Sequence, residues 1–216
     1  MISFVAFNTL FNITNTNNNI RYNNGSVWKI ITIRPGAYEV ADINKEIQRQ
    51  MKINGDTGIN TQTGGDLFYF NVYPNTSTSC SIMDLTNGYQ VDFNDTTNPN
   101  NMRLVLGYNQ GIYQGLYNQS QNTINIQPYN SIFINCDLCT NSYINGTAIQ
   151  AIATVPMNMV HVGYKIIYIP VAPIYLAVSK SKISFNDFHI WITNEFQQPL
   201  DFNGENITIT FQLRSV

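Results

Sequence analysis

Apolar and polar positions alternate along most of this chain with the two-residue period of β-strands, and at one place they switch to the period of a helix. Val27, Trp28, Ile30, Ile31 and Ile33 form a β-branched and aromatic run that predicts a strand buried on both faces. Arg34-Pro35-Gly36 ends it. Pro35 lacks the amide donor that a ladder needs, and Gly36 suits the positive φ of a type II turn. Beyond the turn, Ile43, Ile47 and Met51 recur four apart, while Asn44, Lys45, Glu46, Gln48, Arg49 and Lys52 fall on the other side. This predicts one amphipathic helix over about 40–53, starting at Asp42 or just before it.

The other elements are short and extended. Strands are expected at Ile2–Leu10, Ile20–Tyr22 and Leu67–Tyr73, with Asn23-Asn24-Gly25 as a type I′ hairpin turn into the Val27 strand. Cys80–Leu85 and Tyr89–Phe93 are expected to pair across Asn87-Gly88, a second hairpin signal. Asn54–Asp66, Asn94–Asn101 and the Tyr-, Gly- and Gln-rich Gly111–Gln121 read as loops, and Leu104–Tyr108 as an apolar plug. Further strands are predicted at Thr123–Gln127, Ser131–Cys139, Thr147–Val155, Gly163–Ile169 and Ile174–Val178. A last pair is expected at Asp187–Thr193 and Asn206–Leu213. Eight to ten strands at intervals of roughly 8 to 12 residues, with one helix, predict an all-β antiparallel sandwich, best accommodated as a single jelly roll with an inserted helix. No linker-like segment or repeat divides the 216 residues, so one domain over 1–216 is expected.

Composition sharpens this picture. Only 11% of residues are charged, and Asn supplies about one residue in seven. Such a neutral surface suits packing against copies of itself, although an AT-rich genome would also raise Asn and Ile. The net charge of −2 is spread without a basic block, so no direct nucleic-acid binding is expected. No apolar run approaches a membrane span, and the first residues lack the pattern of a signal peptide, so synthesis in the cytoplasm or nucleus is expected.

Candidate chemistry is sparse. His161 and His189 sit in apolar period-2 segments and read as strand residues. Cys136-Asp137-Leu138-Cys139 is a C-x-x-C placed in a predicted strand, where the two thiols would diverge, and no second C-x-x-C completes a zinc site. No cofactor or metal is expected. Asp56-Thr57-Gly58 is the triplet of retroviral-type aspartic proteases, in which paired carboxylates share a proton and activate water. Here it follows a polar stretch and opens a loop, so an ordinary turn is the expectation and no catalytic residue is named.

Three segments together resemble a family. Trp28–Ile47, with its Ile-Thr-Ile-Arg-Pro-Gly-Ala-Tyr-Glu-Val-Ala-Asp-Ile-Asn core, is similar to a stretch in proteins of Polinton (Maverick) elements and related double-stranded DNA viruses. Tyr89–Phe93 with Leu104–Tyr108, and Ile190–Ile209, resemble two further blocks of the same proteins in the same order, with Asn194-Glu195 where the family usually has Asp-Gln. The resemblance implies a minor capsid protein, the penton, with a single jelly roll. It further implies a pentamer at the vertices of an icosahedral virion, beside a double jelly-roll major capsid protein. On that expectation the assembly contacts are sought in the loop carrying Tyr108, Tyr113 and Tyr117 and in the Asn54–Gly65 loop with Asp56 and Thr57. A host-attachment or glycan-binding sandwich and an enzyme using Asp56 are the alternatives.

Overall fold

The computed structural model describes residues 1, 3–127, 129–139, 142–144, 146–157, 163–171 and 188–212. Its first elements are β1 (Ser3–Phe7), β2 (Asn19–Asn23), β3 (Trp28–Thr32), helix α1 (Val40–Ile53), β4 (Thr57–Ile59), β5 (Asp66–Phe68) and β6 (Phe70–Asn75). Next come β7 (Cys80–Leu85), β8 (Gln90–Asp92), the single turn α2 (Arg103–Leu106), β9 (Ile112–Gln114) and β10 (Asn118–Gln119). The remainder comprises β11 (Ser131–Cys136), β12 (Ser142–Ile144), β13 (Thr147–Ile149), β14 (Ala151–Pro156), β15 (Lys165–Tyr168), β16 (Ile190–Thr193) and β17 (Thr208–Thr210). The fold is all-β, and the pairings between these strands are all antiparallel. The chain sorts into two compact units, Met1–Leu10 with Tyr129–Val216, and Phe11–Pro128.

The Phe11–Pro128 unit contains a four-stranded sheet in the order β3-β2-β8-β9, a three-stranded sheet in the order β10-β7-β6, and the β4-β5 hairpin. Its core is closed by α1. Val40, Ile43, Ile47 and Met51 are buried along one stripe of that helix, against Tyr22, Ile31, Phe70, Val72, Met83 and Val91 from the sheets. The expected helix is therefore present, and its apolar stripe extends one turn back to Val40. At its N-terminus Glu39 makes no side-chain cap, and its carbonyl accepts the amides of Asp42 and Ile43.

Four local expectations change. The Val27–Ile33 run is not buried on both faces. β3 is an edge strand; Ile31 and Ile33 point into the core while Val27 and Ile30 are exposed. Gly36 does not adopt a positive φ. It pairs with Ile13 through two backbone hydrogen bonds, and a Cβ there would meet the Tyr38 ring at 2.8 Å, so glycine answers a close approach. The β2-β3 hairpin is longer than a two-residue type I′ turn, with only Gly25 at positive φ and the Asn23 and Asn24 side chains accepting amides of Gly25, Ser26 and Val27. Asn87 and Gly88 do take the paired positive φ of a type I′ turn, but β7 and β8 do not pair across it. The Leu85 amide goes to Gly115 and the Thr86 amide to Tyr69, so the turn passes the chain from one sheet to the other.

The second unit contains the sheets β15-β1-β17 and β14-β11-β16 and the β12-β13 hairpin. Phe4, Ala6, Ile132, Ile134, Val155, Ile166 and Phe202 form its core. The expected final pair does not pair with itself: β16 lies on β11, and β17 on β1. Between them Asn194, buried, accepts the amides of Phe196 and Gln198 and closes a loop bridged from Thr193 to Pro199. The acceptor role open to an aspartate at this position is thus filled by an amide oxygen. Residues 123–127 form no strand, and the expected strand Ile174–Val178 lies outside the described residues.

Candidate assembly surface

The segment expected as a loop after Tyr108 is a ribbon held to the edges of two sheets. Gly107 ends α2 in the left-handed conformation (φ 82°), where a Cβ would stand 2.3 Å from the Asn122 carbonyl oxygen. The next residue, Tyr108, turns into the core. Its hydroxyl donates to the Asn118 carbonyl at 2.6 Å, and burial pushes its pKa well above the ordinary tyrosine range. Phe93, Tyr108 and Tyr113 form an aromatic cluster with centroids 5.0–5.9 Å apart. Tyr113 stands opposite Val91 in the β8-β9 ladder and is half-buried, its hydroxyl 3.0 Å from the Asn109 carbonyl.

The ribbon then crosses to the other sheet. The Gly115 carbonyl accepts the amide of Leu85 at 2.9 Å, the Tyr117 amide donates to Asp84 Oδ1 at 2.7 Å, and Asn118 and Gln119 pair with Met83 and Ile82. Asp84 also accepts the Tyr73 hydroxyl at 2.9 Å, so one carboxylate anchors both tyrosine positions. Outward from this fixed backbone project Ile112, Leu116 and Tyr117, 55%, 68% and 62% exposed. Of the three tyrosines expected to make contacts, Tyr117 offers its ring to solvent, Tyr113 offers an edge, and Tyr108 supports the ribbon from beneath. Ile112, Leu116 and Tyr73 were not singled out from the sequence. The alternation Ile112-Tyr113-Gln114 is the signal of a strand, hidden by the surrounding glycines.

Asp56 is buried. After α1, Gly55 at φ 70° turns the chain and the Asp56 amide donates to the Met51 carbonyl. Its Oδ1 accepts Asn24 Nδ2 at 2.8 Å, its Oδ2 accepts the Tyr22 hydroxyl at 2.5 Å, and Lys29 Nζ lies 2.8 Å from both. Burial would raise this carboxyl, but the hydrogen bonds from Lys29, Tyr22 and Asn24 outweigh it and hold the group below its usual range. The Tyr89 hydroxyl donates to the Asp56 carbonyl at 3.0 Å and is pushed up to about 12, by burial first and then by the Asp56 charge. Asp56 thereby ties the end of α1 to the β2-β3 hairpin and the start of β8. Thr57, half-buried, pairs with Phe68 in the β4-β5 hairpin, whose Ile59 is exposed together with Ile53 at the helix end.

Two further carboxylates are committed to local structure. Asp92 accepts Arg21, Thr97 and Asn94, with the Arg21 guanidinium over the Trp28 ring. Asp95 is gripped by Arg103 through two 2.9 Å contacts and is held down to about 2, chiefly by that hydrogen bond. Among the described residues no three His, Cys, Asp or Glu side chains converge on a point that would hold a metal. His189 precedes β16 and lies 3.4 Å from Asp137, while His161 lies outside the described residues. Cys136 and Cys139 do not diverge, because β11 ends at Cys136 and a turn brings Cys139 back beside it. No helix among the described residues is long and apolar enough to cross a membrane. No protein-family model, curated protein or solved structure matches the chain.

Proposed function

We propose that this chain is a structural virion protein, a minor capsid (penton) subunit of jelly-roll type that forms icosahedral vertices as a pentamer. It would meet its own copies laterally and a double jelly-roll major capsid protein around the ring, and would reside in the virion after synthesis in the host cytoplasm or nucleus. The observation that carries this reading is the β9–β10 ribbon. It exposes Ile112, Leu116 and Tyr117 on a backbone already fixed by Asp84 and Gly115. Ordering costs little when the contact surface is preformed, and an uncharged apolar edge gains by burial against a neighbour. Closed rotational symmetry uses such an edge without leaving a free end.

The segments that resemble Polinton proteins support the reading in a particular way. Ile31, Ile33, Ile43, Ile47, Tyr89, Val91, Phe93, Leu106 and Tyr108, all from the first two segments, lie together in one core. The likeness is thus carried by residues that build a fold.

Light scattering and negative-stain imaging of the purified protein test the proposal. A mass near five protomers with ring-shaped particles is expected, alone or with the major capsid protein added. Leu116→Asp with Tyr117→Ala is expected to lower that mass while leaving circular dichroism unchanged. A trimer that binds glycans would replace the proposal with an attachment role.

A further inference from the structure

The end of β11 brings two thiols together that the strand pattern would have separated. The Cys139 amide donates to the Cys136 carbonyl at 3.1 Å, closing a four-residue turn through Asp137 and Leu138. A turn closed in this way places its terminal Cα atoms within about 7 Å, the span a disulfide requires. Both side chains are buried in one small cluster with Leu138, against Ile152 and Ile190. The Cys136 thiol also lies 3.9 Å from Asp137 Oδ1. Cys80 belongs to the Phe11–Pro128 unit, where its thiol donates to the Thr78 carbonyl.

We propose that Cys136 and Cys139 are a thiol–disulfide exchange site, closing to a reversible intrachain disulfide when the chain meets a low-molecular-weight disulfide such as oxidised glutathione. Burial, then the neighbouring Cys136, push the Cys139 thiol up to about 11, so it stays protonated at neutral pH and is the second sulfur to react. The Cys136 thiol gives up its proton as its sulfur attacks one glutathione sulfur, breaking the S–S bond and releasing one glutathione thiolate. The Cys139 sulfur then attacks the Cys136 sulfur of the mixed disulfide, forming the intrachain bond and releasing the second. The two protons lost by the cysteines end on the two glutathione thiolates; the chain is oxidised by two electrons and the small disulfide is reduced. A ring this short removes little chain entropy from the unfolded state, so the bond adds little to overall stability and reopens readily with a dithiol.

The test equilibrates the full chain in a series of reduced and oxidised glutathione, blocks remaining thiols with N-ethylmaleimide under denaturing conditions, and maps the peptides by mass. The expected product has the 136–139 peptide without maleimide and lighter by about 2 Da, with Cys80 blocked, and dithiothreitol reverses it. Cys80→Ser is expected to leave the linkage intact, and Cys139→Ser to stop oxidation at a single glutathione adduct. Maleimide or glutathione on both Cys136 and Cys139 of the folded chain in excess oxidised glutathione, while the urea-unfolded chain forms the linkage, would overturn the proposal.

Discussion

At the scale of single residues, Asp56 and Gly107 show how position decides what a side chain is worth. Asp56 accepts four hydrogen-bond contacts from three residues 27 to 34 positions away. Asp56→Asn is expected to cost about 2 kcal/mol at pH 7, because Lys29 loses its charged partner inside the fold. The sign with pH follows from the depressed carboxyl. Its contribution is full above the unfolded value of about 3.9 and is lost as pH falls through the lower folded value. Urea midpoints should therefore fall less in the variant than in the wild type between pH 7 and pH 2.5. Gly107 and Gly115 share positive φ but not surroundings, since a Cβ at Gly107 strikes the Asn122 carbonyl and one at Gly115 meets nothing within 4 Å. Gly107→Ala is expected to cost at least about 2 kcal/mol and Gly115→Ala about 1, measured by the same unfolding curves.

At the scale of elements, α1 and β3 are instructive opposites. The four-residue recurrence of Ile43, Ile47 and Met51 was legible because a helix needs only its own sequence to define a face. Ile47→Ala is expected to cost about 2–5 kcal/mol, whereas Ile53→Ala, at the exposed end of the same helix, should change stability by less than about 0.5. β3 reads as equally apolar on both sides, yet only one face packs on the core: Ile31, and Ile33 just beyond the strand, are fully buried, while Ile30 on the opposite face is exposed. The Asn87-Gly88 turn was legible as a turn. Which strands it joins was not, since Gly115 and Tyr69 compete for the amides that a hairpin would have used. The β9–β10 ribbon escaped for a related reason: its short strands make their hydrogen bonds to β7 and β8, far away in sequence.

At the scale of the whole molecule, each compact unit has its own core. A fragment covering Phe11–Pro128 is expected to unfold cooperatively by itself, with near-ultraviolet dichroism from its buried tyrosines, because α1 and two sheets already enclose a complete apolar cluster. A non-cooperative fragment would show that its core needs the remainder of the chain.

The sequence by itself determined the class of the fold, the single long helix with its buried stripe, most strand positions in the first half, and the low charge that shapes the surface. These are properties of short stretches, written in periods of two and four residues and in turn chemistry. Only the tertiary structure decided which strands share a sheet, that Asp56 is an internal tie between helix and hairpin, that Tyr108 is enclosed while Leu116 and Tyr117 are offered outward, and that Cys136 and Cys139 lie in one buried cluster. Each of those outcomes is settled by partners distant along the chain or by a turn that breaks the strand period, and local pattern carries no record of either.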